Sequence, residues 1–395
     1  MSWKIAKLSE VCSKIGSGAT PKGGSTVYIE KGTALIRSQN VYNLCFDYNG
    51  LVYINDETAK KLNGVTIEEN DVLINITGDS VARTCIVPAE LLPARVNQHV
   101  AIVRPNGNVL NPYFLNYYLA SPYMQSYMLG LAVGKGASRN AMTKDMIANF
   151  EVPCPSIEVQ QNIVAILKSY DDLIENNQKQ IKLLEEAAQR LYKEWFVYLR
   201  FPGYEDVKII DGVPEGWRYG SITDISICFD KNRKPLSSIE REKHKKIYPY
   251  YGAASLMDYV EKYIFDGVYL LFGEDGTVIT NDGTPMLQYV WGKFWVNNHA
   301  HVFQGKEEYS TEFLYMLCKH MKVNDVVTGV AQPKISQGRL NEKRILLPDK
   351  DLVTKYSVST SAMFKKIRIL NDEIVLCKEV RDRLLPKLMN GEIEV

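Results

Sequence analysis

No stretch of the 395-residue sequence is long and apolar enough to suggest a membrane span, and the run from Met1 to Lys14 has no apolar signal-peptide core. An excess of one charge is also missing: 47 Lys and Arg stand against 46 Asp and Glu, a formal net charge of +1. That balance excludes a polycationic tail but leaves room for local basic patches that bind nucleic acid. Seven cysteines (Cys12, Cys45, Cys85, Cys154, Cys228, Cys318 and Cys377) are scattered, odd in number and without a C-x-x-C pair. Their spacing supports neither a zinc site nor a disulfide framework and fits reduced thiols. The expectation is a cytoplasmic protein without a membrane anchor. Its length implies two domains plus connectors.

Catalytic constellations are just as sparse. Asn111-Pro112-Tyr113-Phe114 has the outline of the N-P-P-Y/F tetrapeptide of adenine-N6 methyltransferases. It lacks the second proline, and no Gly-rich strand–turn–helix for S-adenosylmethionine accompanies it. Asn-Pro is read instead as the start of a Tyr-rich helix from Pro112 to about Met128. Gly134-Lys135-Gly136 lacks P-loop spacing. The five histidines form no H-E-x-x-H pattern, and His299 and His301 alternate on a strand without an evident third ligand. His99 and His299 are read as structural hydrogen-bonding groups at strand starts, and Glu274-Asp275 as part of a turn before Gly276.

What the chain does have is a long periodic stretch. Ile163, Leu167, Tyr170, Ile174, Asn177, Ile181, Leu184, Ala188, Leu191 and Trp195 follow each other in 4-3 steps, with no Pro or Gly between them. That is a heptad seam with one polar member. The pattern recurs without a gap 193 residues later, at Tyr356, Met363, Ile367, Leu370, Ile374, Cys377, Leu384 and Leu388, with Thr360 and Arg381 as polar exceptions. The first seam is about 48 Å long at roughly 1.5 Å per residue. Each helix needs a partner for its apolar face. The other helix, running antiparallel, is the nearest one, although a second copy of the chain would also serve.

The segments before the two helices share an order of features. In the first, short strands at Thr33–Arg37, Leu51–Ile54, Val72–Ile76, Thr84–Val87 and Val100–Val103 are separated by turn residues. Phe150–Val152 is a last strand before Ser156, the expected cap of the first long helix. In the second, Trp217-Arg218-Tyr219 answers Trp3-Lys4-Ile5, and Val296-Asn297-Asn298-His299 answers Val96-Asn97-Gln98-His99. Gly329 to Ser336 stands where Gly136 to Thr143 stood, and Pro348-Asp349 answers Pro155-Ser156. A duplicated unit of this size is far above the period of a solenoid repeat.

Cations and amides suited to nucleic acid lie in both halves. The first offers Lys22, Arg37-Ser38-Gln39-Asn40, Arg83, Lys135 and Arg139. The second offers the basic run containing Lys231, Arg233 and Lys234, with Tyr250, Tyr251 and Lys334. Lys and Arg neutralise phosphates, while Arg, Gln and Asn can read base edges.

Read together, these motifs resemble the specificity (S) subunits of Type I restriction–modification systems. Trp3 to Leu8 followed by Gly18-Ala19-Thr20-Pro21-Lys22-Gly23-Gly24 is similar to the opening of that family's target-recognition domains. Pro249-Tyr250-Tyr251-Gly252-Ala253 and Gly273-Glu274-Asp275-Gly276 look like pieces of a second one. Gly329 to Ser336, with Gln332 and Ile335, resembles the family's G-x-x-Q-x-x-I-S turn; the first copy departs from it, with Arg139 for Gln and Met142-Thr143 for Ile-Ser. The C-terminal Leu384-Leu385-Pro386-Lys387-Leu388-Met389-Asn390-Gly391-Glu392-Ile393 is the most distinctive piece.

The resemblance implies an α+β fold: two tandem α/β target-recognition domains (1–152 and 206–348) separated by two long helical regions (153–205 and 349–395). The helices would pair as an antiparallel coiled coil in a pseudo-two-fold internal repeat. It further implies a non-catalytic chain that binds a bipartite, asymmetric double-stranded DNA target, with the coiled coil setting the spacer. Two modification subunits and the restriction subunits would be its partners, and S-adenosylmethionine, ATP and Mg would sit on them rather than here. The open alternatives are the DNA-recognition part of a single-chain methyltransferase or nuclease, and a two-domain protein-binding adaptor.

Overall fold

The structure, a computed structural model, describes residues 3–133, 140–329 and 331–395. It divides into two units: Met1–Glu175 with Val375–Val395, and Asn176–Ile374. Among the described residues no helix is long and apolar enough to cross a membrane.

In the first unit, Val72–Asn75 and Val100–Pro105 are the central strands of a four-stranded antiparallel sheet flanked by Cys12–Ser17 and Thr84–Ile86. A second four-stranded sheet has the order Val52–Ile54, Thr33–Ile36, Ala94–Val96 and Thr66–Ile67, its two middle strands parallel. The strands are rich in Val and Ile, as buried strands require. Lys4–Lys7 pairs antiparallel with Glu151–Cys154, the strand that leads into the first long helix.

The Tyr-rich segment expected as one helix is two, Pro112–Ala120 and Pro122–Ala132. Pro122 offers no N–H and drives Ser121 into an extended conformation, from which the Ser121 hydroxyl caps the second helix. Asn111 accepts from the Tyr113 and Phe114 N–H groups and caps the first.

The second unit repeats this construction on a larger sheet. Arg218–Gly220 pairs antiparallel with Ile345–Leu347, which leads into the second long helix. Six strands follow in the order Ser226–Cys228, Ala300–Gly305, Phe265–Gly273, Leu287–Val296, Tyr248–Tyr251 and Leu256–Val260. All neighbours are antiparallel except Tyr248–Tyr251 beside Leu287–Val296.

The long helices span Ile157–Tyr192 and Lys350–Met389. Ser156 Oγ accepts from the Val159 N–H at the start of the first, and Asp349 Oδ1 from the Asp351 N–H at the start of the second. The first ends in a π-turn over Lys193–Val197. The extra residue in that turn brings both Trp195 and Phe196 against Tyr356, with ring centroids at 6.0 and 5.3 Å.

In each unit the segments of the two helices lie side by side. Within the second, Tyr356 Oη donates to the Ala188 carbonyl at 3.0 Å, and Asn177 Nδ2 to Glu373 Oε2 at 3.1 Å. Numbers fall along one helix as they rise along the other, so the segments run in opposite directions. Asn177, Ile367, Leu370 and Ile374 are buried; Ile181, Leu184, Leu191, Trp195 and Met363 are half-buried around them. Within the first unit, Ile163 and Leu167 share a core with Phe114, Phe150, Leu385 and Leu388. Ile174 and Cys377 are also buried, while Tyr170 and Leu384 are half-buried. Arg381 is the polar member here: it binds Asp171, which also accepts from Tyr117 Oη. Thr360 is fully buried and returns its hydroxyl to the Tyr356 carbonyl one turn back.

Candidate nucleic-acid interface

One backbone arrangement recurs in both units. In the first, the Ile76 N–H donates to the His99 carbonyl, the Met142 N–H to the Ile76 carbonyl and the Gly78 N–H to the Asn140 carbonyl, all at 2.9–3.0 Å. In the second, Glu274 donates to His299, Ile335 to Glu274 and Gly276 to Pro333 at 2.8–3.0 Å. The side chains of Asn97 and Asn297 each accept from the N–H two residues on, closing an Asx turn over His99 and His299. Each of these Asn residues also donates its own N–H to a strand end, Ile36 in one unit and Tyr251 in the other. Three segments therefore meet in the same way twice: a strand end, an Asx turn and an incoming chain. The incoming chain then starts a short helix capped by Thr143 or Ser336.

The side chains on this frame differ. In the first unit Thr77 Oγ1 lies 2.6 Å from His99 Nδ1, Gln98 Nε2 lies 2.9 Å from His99 Nε2, and Thr20 Oγ1 bonds Gln98. Because the Gln98 amide donates to Nε2, the His99 proton sits on Nδ1 and is given to Thr77. Gly18 is required nearby, since a Cβ there would lie 2.2 Å from the carbonyl oxygens of Val96 and Asn97. In the second unit the frame carries charge. His299 Nδ1 is 3.6 Å from Asp275 Oδ2, and Lys334 Nζ is 3.6 Å from Glu274 Oε1. Gln98, Asn298, His299 and Lys334 are exposed.

The first-half candidates fall in three places. Lys22 is exposed in the loop after Gly18. Arg37, Ser38, Gln39 and Asn40 form the turn after Thr33–Ile36. Gln39 is exposed, while Asn40 is fully buried and braces the turn: Oδ1 accepts from the Arg37 N–H, and Nδ2 donates to the carbonyls of Asp47 and Asn49. Buried Asn75 holds the same turn through the Ser38 carbonyl at 2.8 Å. The Arg37 guanidinium lies 5.5 Å from the Tyr28 ring and donates to the Gly50 carbonyl. Arg83 stacks 4.4 Å over Tyr42, on the hairpin that follows. Lys135 and Arg139 lie outside the described residues.

Second-half candidates divide similarly. Lys231 and Lys234 are exposed. Tyr250 is buried, its Oη accepting from the Leu236 N–H at 2.9 Å under the Arg241 guanidinium. Half-buried Tyr251 packs edge-on to Phe294, and burial pushes its hydroxyl above the usual tyrosine range. Arg233 and Lys334 meet at Glu274.

That meeting point is a group the sequence did not disclose. Asp230, Glu274 and His301 place one ligand-type atom each within 4.8 Å of the others. The Arg233 guanidinium stands among them, Nη1 2.7 Å from Glu274 and Nη2 3.2 Å from Asp230, so a cation already occupies the centre. Its members lie up to 71 residues apart, and no local spacing marks them.

The family model of the Type I restriction modification DNA specificity domain matches residues 1–186 and 214–352. The Type I restriction enzyme MjaIX specificity subunit of Methanocaldococcus jannaschii is 25% identical over all of this chain and 94% of its own length. The HindI specificity subunit of Haemophilus influenzae is 21% identical over 83% of this chain and 87% of its own. Among solved structures, the S subunit of a Type I system from M. genitalium superposes with a TM-score of 0.60 at 16% identity, covering 98% of this chain and 96% of that one.

Proposed function

The chain belongs to the Type I restriction–modification DNA specificity family, and from that premise we propose that it reads a bipartite, asymmetric DNA sequence, one half-site per recognition domain. As a specificity subunit it is not itself an enzyme; it selects the DNA on which others act. The recognition domains span 1–152 and 206–348, and the helical regions 153–205 and 349–395 pair as an antiparallel coiled coil related by a pseudo-two-fold axis. That coil sets the gap between half-sites. It also receives two modification subunits and, with them, the restriction subunits; S-adenosylmethionine, ATP and Mg belong to those partners.

One observation carries this reading: a single backbone frame is built twice with different side chains on it. Equivalent positions hold Ile76 and Glu274, Thr77 and Asp275, Gln98 and Asn298, Ala101 and His301, Ala141 and Lys334. Equal frames favour equal docking on DNA, while unequal side chains favour unequal base sequences. Around the frames, exposed Lys22, Lys231, Lys234 and Lys334 supply phosphate contacts, and Arg37, Ser38, Gln39 and Arg83 lie on the side of the first half-site. The helix seams from Ile163 to Trp195 and from Met363 to Leu388 hold the pair together and present the docking face beside it.

The test is selection of random-sequence duplexes by the full chain with its methyltransferase partner. Selected duplexes should share two different sequence blocks at a constant gap. A single contiguous block, or a palindrome, contradicts the reading.

A further inference from the structure

At the place where the first unit's frame is filled by apolar Ile76 and Ala101, the second carries buried charge. His301 is 1% exposed, and both of its ring nitrogens face oxygen. Nδ1 lies 2.6 Å from Asp230 Oδ2 and 3.5 Å from Glu274 Oε2; Nε2 lies 2.8 Å from the Ile335 carbonyl oxygen. A carbonyl oxygen and an ionised carboxylate can only accept. Burial pushes the Asp230 carboxyl up, but hydrogen bonds from His301 and the Val302 N–H, with Arg233 alongside, outweigh it and leave the group below the usual carboxylate range. His301 thus bridges the 230–233 loop and the backbone of the chain that carries Lys334.

Arg233 completes the arrangement. Its Nη1 reaches Glu274 and the Ala300 carbonyl, each at 2.7 Å, and its Nη2 reaches Asp230. The charged groups facing His301 are thus Asp230 from the 230–233 loop, Glu274 from the strand end and Arg233 between them, with Lys334 beyond Glu274. Together these groups join four separate segments, and those segments carry the exposed Lys231, Asn298, His299 and Lys334. Filling the joint does not require charge, since apolar residues fill it in the first unit at a lower desolvation cost.

We propose that Arg233 and His301 are positioning residues of the second recognition domain, clamping the segments that carry its DNA-facing side chains without touching DNA themselves. This rests on the reading that the second domain recognises one half-site. Removing either side chain frees the Ile335 backbone from Asp230 and Glu274 and loosens the turn that carries Lys334. Recognition of the second half-site then weakens, while recognition by the first domain, whose joint is apolar, does not follow it.

Two measurements test the clamp. In the first, amide hydrogen exchange is compared between the full wild-type chain and its Arg233→Lys and His301→Gln variants, read at the Val302 and Ile335 N–H groups. Faster exchange at both, with the Met142 N–H of the first unit unchanged, is expected; unchanged protection overturns the proposal. This readout needs no DNA, so it stands even if the half-site reading fails. In the second, Arg233→Lys and His301→Gln chains, in complex with the modification subunits, are titrated with duplexes selected by the wild type. Arg233→Lys should weaken the second half-site about tenfold and broaden its base preference, with the salt dependence of affinity unchanged. His301→Gln should have the same effect. A salt slope reduced by about 0.9, the share of one phosphate, with base preference intact would make Arg233 a DNA contact and overturn its positioning role. Unaltered affinity and base preference in His301→Gln do the same for His301.

Discussion

Gly18 and His320 show how single residues constrain each unit. A Cβ on Gly18 would overlap two backbone carbonyls that belong to the Asx turn at Asn97, and carbonyls cannot swing aside as a side-chain tip can. Gly18→Ala is expected to destabilise the first unit by about 2 kcal/mol, measured by urea titration, and to weaken recognition of only one half-site. Unchanged stability would show that the turn gives way easily. His320 stacks on Tyr192 at 5.2 Å, and its Nε2 is buried without a partner. Burial, with Lys193 and Lys319 close by, holds its folded-state pKa down to about 4, against an ordinary imidazole value of 6.5. Between those values the unfolded chain binds the proton and the folded chain does not, so stability is lost as pH falls from 6.5 towards 4. His320→Phe, which keeps the stacked ring, should flatten that part of the stability–pH curve; an unchanged curve would assign the loss to other groups. Neither feature is visible in local spacing. The same holds for Asp230 and His301, which meet only because two strands and a loop converge.

Among the elements, the long helices were the most legible in sequence. Their periodicity is local, uninterrupted by Gly or Pro over Ile163 to Trp195, and a buried face must recur every three or four residues. The break at Ser121-Pro122 could have been read from the proline. The π-turn at Lys193–Val197 could not, because it answers to rings from other elements, Tyr356 and Phe313. Asn177 is the polar flaw in the seam, 2% exposed and bonded to Glu373. A buried polar seam residue fixes register at a cost in stability. Asn177→Leu is therefore expected to raise the melting temperature by a few degrees, about 1 kcal/mol. A lower melting temperature would mean that the Glu373 bond contributes more than the apolar contact that replaces it.

On the scale of the whole molecule, the duplication was legible as an order of short motifs, and the hydrogen bonds at His99 and His299 give it physical content. The side chains that distinguish the two frames were less legible: recognition surfaces lie on loops, where residue type follows the target rather than the fold. The proposed function divides specificity into two separable parts, the side chains on each frame and the length of the long helices. The most direct test removes one heptad from each long helix at matched positions and repeats the duplex selection. Seven residues are about 10.5 Å of helix, close to three base pairs at roughly 3.4 Å each. The expected result is the same two sequence blocks at a gap about three base pairs shorter. Altered blocks at an unchanged gap would contradict a spacer role for the helices.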